Sequence, residues 1–239
     1  MSTSSPVALI TGAGGGIGRA LTKRLHDLGY RLALNGRSLE KLKRSAEAAG
    51  CGETALLLPG DLTDRGFAEG LIAKVEAHFG RLDVLINNAG VCAIGPMQET
   101  SYETLDLLMK TNVYAPFILC RDAIPLLERS DCAEVINIGS VVSHKGYAMQ
   151  SAYATAKHAL LGMSKVLGAE VYSKGIRVHV IAPGGVNTDM VRISRPDIQT
   201  ASMISPEDIA DSVEFLLTHR GNAIIDEIQL HRYDKMPFA

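Results

Sequence analysis

The chain has 239 residues, a formal net charge of −2 at neutral pH and 46% hydrophobic residues. A chain of this length and composition can bury a sizeable core, and α/β chains of this size commonly form one domain. The near-neutral charge, without a block of like charges, excludes the usual surfaces for nucleic acid and for anionic membranes. We therefore expect a single domain over residues 1–239 whose partners are small molecules and further copies of the chain.

The ends and cysteines of the chain indicate its compartment. Residues 1–6 lack the basic start and apolar core of a signal peptide, and no apolar run approaches the roughly 18 residues of a spanning helix. Cys51, Cys92, Cys120 and Cys132 are scattered, without a C-x-x-C pair or a histidine at ligand spacing. Such cysteines are typical of reduced thiols. We expect a soluble, cytoplasmic protein without a metal site.

Short aliphatic and β-branched runs alternate with longer amphipathic stretches along the chain. The predicted strands are residues 7–11, 31–35, 54–59, 82–87, 134–139, 176–181 and 227–230. The predicted helices are residues 17–28, 39–49, 65–79, 102–129, 152–173 and 206–219. This βαβ alternation predicts an α/β Rossmann fold, a doubly wound sheet of seven parallel strands with helices on both faces.

Two segments interrupt this pattern. Pro116 and Pro125 fall inside the fourth predicted helix, residues 102–129, where a proline removes a backbone donor, so we expect a kink or break there. Residues 184–205 lose the periodicity and begin with Gly184 and Gly185, which predicts a loop with at most a short helix. A long loop after a strand often covers the site of an α/β protein, so we expect this loop to contact substrate.

A glycine-rich turn, TGAGGGIG at residues 11–18, joins the first predicted strand to the first helix. Glycines let the backbone approach a pyrophosphate, which the N–H groups and dipole of the helix N-terminus stabilise. The spacing is T-G-x-x-x-G-x-G rather than G-x-G-x-x-G. A tight strand-to-helix connection would also use glycine, but the flanking strand and helix favour dinucleotide binding. The cofactor-binding candidates here are Gly12, Gly14, Gly15, Gly16, Ile17 and Gly18.

Tyr153 and Lys157 stand four residues apart and share one face of a predicted helix. A free phenol has a pKa of about 10, and a cation beside it favours the phenolate and lowers that pKa. The pair therefore predicts a general acid or base at Tyr153. A solvated helix lysine would give the same spacing, so the pattern is weak on its own.

Together these motifs resemble the short-chain dehydrogenase/reductase family over about residues 7–214. The shared features are the glycine turn, Asp61-Leu62, Asn87-Asn88-Ala89-Gly90, Asn112, Ser140, Tyr153-x-x-x-Lys157, and Pro183-Gly184 followed by Thr188. The gap of thirteen positions from Ser140 to Tyr153 is also usual in the family.

The resemblance implies a role for each catalytic candidate. Ser140 would polarise the substrate carbonyl, while Tyr153 would act as the acid or base. Lys157 would lower the pKa of Tyr153 and bind the nicotinamide ribose, and Asn112 would connect a water relay to Lys157. Taken alone, Ser140 could instead be a turn cap and Asn112 a helix kink.

The other candidates would contact the cofactor. Asp61 would accept a hydrogen bond from the adenine amino group, although an N-cap role is also open. Asn88, Ala89 and Gly90 would shape the loop beneath the adenosine ribose and are structural as much as ligand-binding. The remaining cofactor candidates are Leu62, Tyr153, Lys157, Pro183, Gly184, Val186 and Thr188.

The substrate side would be formed by residues before the catalytic helix. Gln150, three residues before Tyr153, would face the substrate together with His144, Tyr147 and Met149. A solvated loop is the alternative for His144.

The end of the second strand predicts the cofactor. A dinucleotide site usually has an acidic residue there, which binds the ribose hydroxyls and repels a 2′-phosphate. Gly36 occupies the aligned position, and Arg37 and Ser38 follow it with groups that bind phosphate. We expect NADPH to be preferred and NADH to be possible, although residues 13–15 lack the basic residue of many NADPH-preferring relatives.

These features predict an oxidoreductase that interconverts a carbonyl and an alcohol by hydride transfer, a ketone or 3-oxoacyl reductase. The alternatives are an epimerase or dehydratase of the extended relatives and a non-catalytic nicotinamide sensor.

The family usually forms dimers or tetramers through its fifth and sixth helices. In the predicted helix over residues 152–173, more apolar surface is present than one sheet face needs, which favours such a contact; its residues are Ala156, Ala159, Leu160, Met163 and Leu167. The chain departs from the family at its end, where residues 224–232 lack the usual Gly-Gly, so the role of residues 221–239 stays open.

Overall fold

Seven parallel strands form one sheet in the order β3-β2-β1-β4-β5-β6-β7 of a computed structural model that describes residues 5–194 and 201–235. The strands are β1 Val7–Ile10, β2 Arg31–Gly36, β3 Leu56–Pro59, β4 Val84–Asn87, β5 Glu134–Ile138, β6 Arg177–Pro183 and β7 Glu227–Leu230. Helices cover both faces, so the predicted single-domain Rossmann fold is confirmed.

Nine α-helices are described between these strands. They are α1 Gly16–Asp27, α2 Leu39–Ala49, α3 Arg65–Glu69, α4 Leu71–Phe79, α5 Tyr102–Met109, α6 Ala115–Leu127, α7 Ser151–Val171, α8 Asp189–Ser194 and α9 Pro206–Thr218. The short helix expected in the loop is α8, whereas residues 195–200 of that loop lie outside the described residues. In the part of the chain that the structure describes, no helix has the length and apolarity needed to cross a membrane.

Two predicted helices are divided. Gly70 separates α3 from α4. The fourth predicted helix, residues 102–129, is divided by a π-helical turn, Lys110–Tyr114, which lies before Pro116. Pro116 stands in the first turn of α6, where a missing N–H costs little. Pro125 lies inside α6, so the expected break occurs on the N-terminal side of both prolines.

The core has two apolar layers, one on each face of the sheet. Val7 and Leu9 of β1 pack in the layer that α4, α6 and α7 cover. Ala8 and Ile10 point the opposite way, into the layer that α1, α2 and α9 cover. Because both faces are buried, the central strands are continuous apolar runs rather than alternating ones.

The strand order places the crevice of the molecule. β1 pairs with β2 on one side and with β4 on the other, so the chain reverses direction across the sheet at β1. Ligands of open α/β sheets bind at the carboxyl ends of strands beside such a reversal. The loops that follow β1, β4, β5 and β6 therefore meet at the edge where the predicted site residues lie.

Candidate active site

The turn after β1 requires glycine for two separate reasons. Gly12 has a φ of +66°, which L side chains rarely adopt. A Cβ at Gly18 would lie 2.2 Å from the carbonyl oxygen of Gly12, so a side chain cannot be accommodated. The turn thus presents bare backbone at the N-terminus of α1, the arrangement that accepts a pyrophosphate.

A polar clamp holds this turn against the loop after β4. Asn88 Nδ2 donates to the carbonyl oxygens of Thr11 at 2.8 Å and Gly12 at 3.2 Å. Thr11 Oγ1 accepts from the backbone N–H groups of Asn88 and Ala89, both at 3.0 Å. The Asn88 side chain is therefore structural, and Thr11, which had no separate role in the sequence interpretation, joins the two loops.

A cavity of about 360 Å³ opens above these loops. Its lining includes the predicted residues Gly12, Gly14, Gly15, Gly16, Ile17, Gly18, Arg37, Asp61, Leu62, Asn88, Ala89, Gly90 and Thr188. The other five cofactor candidates, Tyr153, Lys157, Pro183, Gly184 and Val186, are not among its lining residues. Pro183 ends β6, Gly184 donates its N–H to Leu230 O at 2.8 Å, and Val186 is buried beside Ile204.

Lys41 is a cavity residue that the sequence interpretation missed. It lies in the first turn of α2, and a Cβ at Gly14 would lie 2.9 Å from Lys41 Cβ. Arg37 and Ser38 line the same end of the cavity. The available signal was a lysine four residues after Arg37, since both positions lie close together where α2 begins.

Asp61 holds a turn at this end of the cavity. Its Oδ1 accepts from the backbone N–H and the hydroxyl of Thr63, both at 2.9 Å. Asp64, and not Asp61, caps α3, so the N-cap alternative is wrong. The side chain of Leu62 is buried in the core, although the residue borders the cavity.

Ser140 and Tyr153 meet at the carboxyl end of β5. Ser140 is 8% exposed, and its Oγ accepts from the Val142 N–H at 3.3 Å, so it also caps the turn Val141–Ser143. Tyr153 lies in the first turn of α7, where its hydroxyl interacts with that of Ser140. The two alternatives for Ser140 are thus compatible.

Lys157 is not a solvated helix residue. It is 5% exposed, and its Nζ donates to Ile138 O at 2.7 Å. Nζ also lies 5.9 Å from the centre of the Tyr153 ring. Burial lowers the pKa of Lys157 from 10.5 to about 8, because a desolvated ammonium loses its proton more easily.

The pKa of Tyr153 departs from the prediction. Burial raises this pKa, the neighbouring Cys92 raises it further, and the hydrogen bond with Ser140 only partly offsets them. The predicted lowering by Lys157 is therefore wrong in this structure. The pKa of Tyr153 is raised rather than lowered for two physical reasons. The phenol is desolvated, and the Lys157 ammonium lies at a distance from the ring and is itself easily neutralised.

Both the nitrogen and the oxygen of the Asn112 amide form hydrogen bonds with the loop after β4. Its Nδ2 donates to Val91 O at 2.9 Å, and its Oδ1 accepts from Val91 N at 3.0 Å. Asn112 is buried within the π-helical turn, an irregularity that is frequent at functional sites. The side chain therefore fixes the wall beside Gly90, and the relay to Lys157 stays a prediction.

The residues before α7 point to two different parts of the molecule. His144 Nε2 lies 2.5 Å from Glu227 Oε1, so this histidine points to β7 and away from the predicted substrate side. Met149 has a φ of 70° and accepts from Gly95 N at 2.9 Å. It lines a second cavity of about 150 Å³ with Ala152, whereas Gln150 is not in that lining.

Comparison with known proteins identifies the family of this chain. The model of the short chain dehydrogenase family matches residues 6–199. The 3-oxoacyl-[acyl-carrier-protein] reductase FabG of Salmonella typhimurium is 33% identical over 236 residues, which are 95% of this chain and 96% of that protein.

Two solved structures share the fold over nearly their whole length. A Thermococcus sibiricus alcohol dehydrogenase complexed with 5-hydroxy-NADP has a TM-score of 0.89 and 26% identity, and the match covers 98% of this chain and 99% of that one. A metagenomic short-chain oxidoreductase in complex with NADP has a TM-score of 0.82 and 31% identity, with coverages of 96% and 98%. Sequence, fold and relatives together assign this chain to the short-chain dehydrogenase/reductase family of oxidoreductases.

Proposed function

We propose that this protein is an NADPH-dependent reductase that converts a ketone or 3-oxoacyl group of a small-molecule substrate into an alcohol. One observation carries the proposal: Ser140, Tyr153 and the buried Lys157 are gathered beside a glycine-lined crevice of dinucleotide type. The similarity to a 3-oxoacyl-[acyl-carrier-protein] reductase supports the acyl branch of this substrate class.

The residues of the site divide the work of a reduction. A bound nicotinamide would supply the hydride for the carbonyl carbon. Ser140 would donate a hydrogen bond to the carbonyl oxygen, and the phenol of Tyr153 would give its proton to the oxygen as negative charge develops there. Because its pKa is raised, Tyr153 is protonated at neutral pH, the form that a reduction requires.

Lys157 would connect the cofactor and the proton donor. Its ammonium has three donors, one of which is used on Ile138 O. In our proposal, the other two donors bind the hydroxyls of the nicotinamide ribose. With a pKa of about 8, Lys157 can also exchange a proton near neutral pH, so it suits the resupply of Tyr153.

The choice of NADPH rests on the cavity end formed by Arg37, Ser38 and Lys41. Two cationic side chains and a hydroxyl there would bind a 2′-phosphate. Gly36 stands where a dinucleotide site usually has an acidic residue, so no carboxylate at this position repels the 2′-phosphate. The NADP complexes of two similar structures support the same choice.

We also propose that residues 184–205 form the substrate loop of the single domain. The described part of this loop places Thr188, Asp189 and Met190 in the wall of the large cavity. A Cβ at Gly16 would lie 2.8 Å from the Thr188 methyl group, so the loop packs directly on the glycine turn. A shift of the loop would therefore change the cofactor cavity as well.

A substrate panel tests this function. Ketones, 3-oxoacyl thioesters and sugars are offered with NADPH or NADH, and loss of the absorbance of the reduced nicotinamide is followed. We expect turnover with at least one 3-oxoacyl or ketone substrate and release of oxidised cofactor in each cycle. Cofactor retained through turnover would indicate an epimerase, and binding without any turnover would indicate a sensor. The cytoplasmic location stays a prediction for cell fractionation.

A further inference from the structure

A line of buried polar side chains crosses the apolar layer between the sheet and helices α6 and α7. Asn87 of β4 and Asn137 of β5 are register partners, and Asn87 Nδ2 donates to Asn137 Oδ1 at 2.8 Å. Asn137 Nδ2 donates to Ser164 Oγ at 2.8 Å. Ser164 Oγ in turn donates to Leu160 O at 2.7 Å. At the other end, Asn87 Nδ2 lies 3.3 Å from Cys120 Sγ.

These groups are expensive to bury without partners. Asn87, Asn137 and Ser164 are each at most 3% exposed, and they lie in the layer formed by aliphatic residues such as Val135 and Leu167. An amide or hydroxyl in such surroundings destabilises the fold when it is left unpaired, because it has lost its hydrogen bonds to water. The bonds are directional, so they select one placement of α7 on the sheet where aliphatic packing would tolerate several.

The same strand and helix meet a second time within the active site. Ile138, which follows Asn137 on β5, accepts the hydrogen bond of Lys157 Nζ at 2.7 Å. Ser164 comes seven residues after Lys157, which is two turns along the same face of α7. Consecutive residues of β5 therefore hold α7 at two points, one structural and one in the site.

We propose that Ser164 and Asn137 are positioning residues, which fix α7 on β5 so that Tyr153 and Lys157 reach Ser140. The inference rests on the proposed function for its effect on turnover. Catalytic groups must be held to within about 0.5 Å of the productive geometry. A helix that slides or rotates by more than this would separate the phenol from the serine even though neither side chain is altered.

Removal of the Ser164 hydroxyl tests the proposal. For Ser164→Ala we expect kcat to fall about tenfold, since small displacements of reacting groups are costly, while the Kd of NADPH changes less than about twofold. Ser164→Thr keeps the hydroxyl and should recover most of kcat. Ser164→Cys keeps the size of the side chain and provides the measurement if the alanine variant does not fold.

Ser212→Ala is the matched control. Ser212 Oγ makes the same bond to the carbonyl four residues earlier, to Asp208 O at 2.9 Å, but it lies in α9 on the opposite face of the sheet. Its kcat should equal that of the wild type. A lower Tm with unchanged kcat per folded enzyme in the Ser164 variants would overturn the positioning role and leave only a structural one.

A second measurement does not depend on activity. The pKa of Lys157 can be followed by NMR of protein labelled with ¹³C-lysine. If Ser164 holds α7 in place, its removal exposes the ammonium and should raise this pKa toward its ordinary value by about half a unit or more. An unchanged pKa would contradict the proposal. A wild-type protein that reduces no carbonyl would refute the proposed function, whereas the Lys157 measurement would still decide the role of Ser164.

Discussion

Removal of the single oxygen atom of the Tyr153 side chain tests the proposed chemistry. Tyr153→Phe removes only the hydroxyl that gives the proton, so we expect turnover to fall at least about 100-fold. The Kd of NADPH, measured by fluorescence titration, should stay within about twofold because the ring and its packing remain. Near-normal turnover in this variant would exclude Tyr153 as the acid.

Arg37 tests the proposed cofactor preference. In Arg37→Ala the fork that would bind a 2′-phosphate is lost, so kcat/KM for NADPH should fall about tenfold or more, with little change for NADH. Arg44→Ala is the control, because Arg44 lies on α2, which begins two residues after Arg37, but is exposed and paired with Glu40 at 3.5 Å. Equal losses of kcat/KM with both cofactors would show that Arg37 does not bind the 2′-phosphate.

Single residues also show where sequence reasoning succeeds and fails. The pairing of Tyr153 with Lys157 was predictable from their spacing on one helix, whereas the place of Ser140 beside them followed from the resemblance to the family. The direction of the Tyr153 pKa was not predictable, since it depends on burial by residues distant in the chain. Lys41 stands only four residues after Arg37 in the sequence, but the packed start of α2 is needed to show that both line the cavity.

At the scale of elements, the strands and most helices follow from the periodicity of the sequence. All seven predicted strands are found, because buried parallel strands leave a continuous apolar run. The π-helical turn Lys110–Tyr114 was not predicted. A π turn inserts one residue into a helix without a compositional signal, so the break was assigned to the prolines instead.

The pairing of β5 with β6 buries two titratable groups at the end of the sheet opposite the site. Glu134 Oε2 lies 3.5 Å from His179 Nε2, and neither atom has a hydrogen-bond partner within the described ranges. His179 Nδ1 lies 2.6 Å from Ile225 O, so that nitrogen carries hydrogen. Two acceptors would therefore face each other unless a proton lies on one of them. Arg220, which binds Glu134, and Arg177 supply the nearby positive charge.

This pair predicts a dependence of stability on pH. Burial raises the pKa of Glu134 from 4.5 to about 7 and lowers that of His179. A raised carboxyl pKa contributes stability that is full below pH 4.5 and is lost as the pH rises through about 7. A lowered imidazole pKa contributes stability above pH 6.5 that is lost at lower pH.

Glu134→Gln removes the carboxyl contribution. Relative to this variant, the wild type should lose about 1–2 kcal/mol of unfolding free energy between pH 5 and pH 8, after discounting for partial solvent screening. Urea unfolding of both proteins at pH 5, 6.5 and 8 gives the difference. A difference that stays constant across this range would show that Glu134 has an ordinary pKa in the folded protein.

At the scale of the whole molecule, the unusual end of the chain packs on the loop that follows β6. Asp234 Oδ2 accepts from Ser202 Oγ at 2.8 Å, and its Oδ1 lies 3.3 Å from Arg232 Nε. A Cβ at Gly185 would lie 3.8 Å from Arg232 Cδ, so the tail also contacts the start of the loop. Sequence alone could not predict these contacts, because they join polar residues without periodicity from two distant segments.

Assembly is the property of the whole molecule for which the sequence argument needs revision. Ala156, Leu160 and Leu167 of the predicted contact are at most 8% exposed and belong to the core. Other apolar side chains on the same helices do face outward. Phe117 on α6 is 54% exposed and Val166 on α7 is 58% exposed. Apolar groups on an outer surface of this kind favour contact with another subunit.

We therefore still expect a closed dimer or tetramer, now through the outer surfaces of α6 and α7. Sedimentation at micromolar concentration should give two or four times the chain mass of 25.6 kDa. Phe117→Glu and Val166→Glu should each shift the protein toward the monomer, because a charge would be buried in the contact. Tyr233→Glu, at an 89% exposed position in the tail, is the control and should keep the wild-type mass. A wild-type mass near 25.6 kDa would refute the assembly, and an intact oligomer in both helix variants would place the contact elsewhere on the surface.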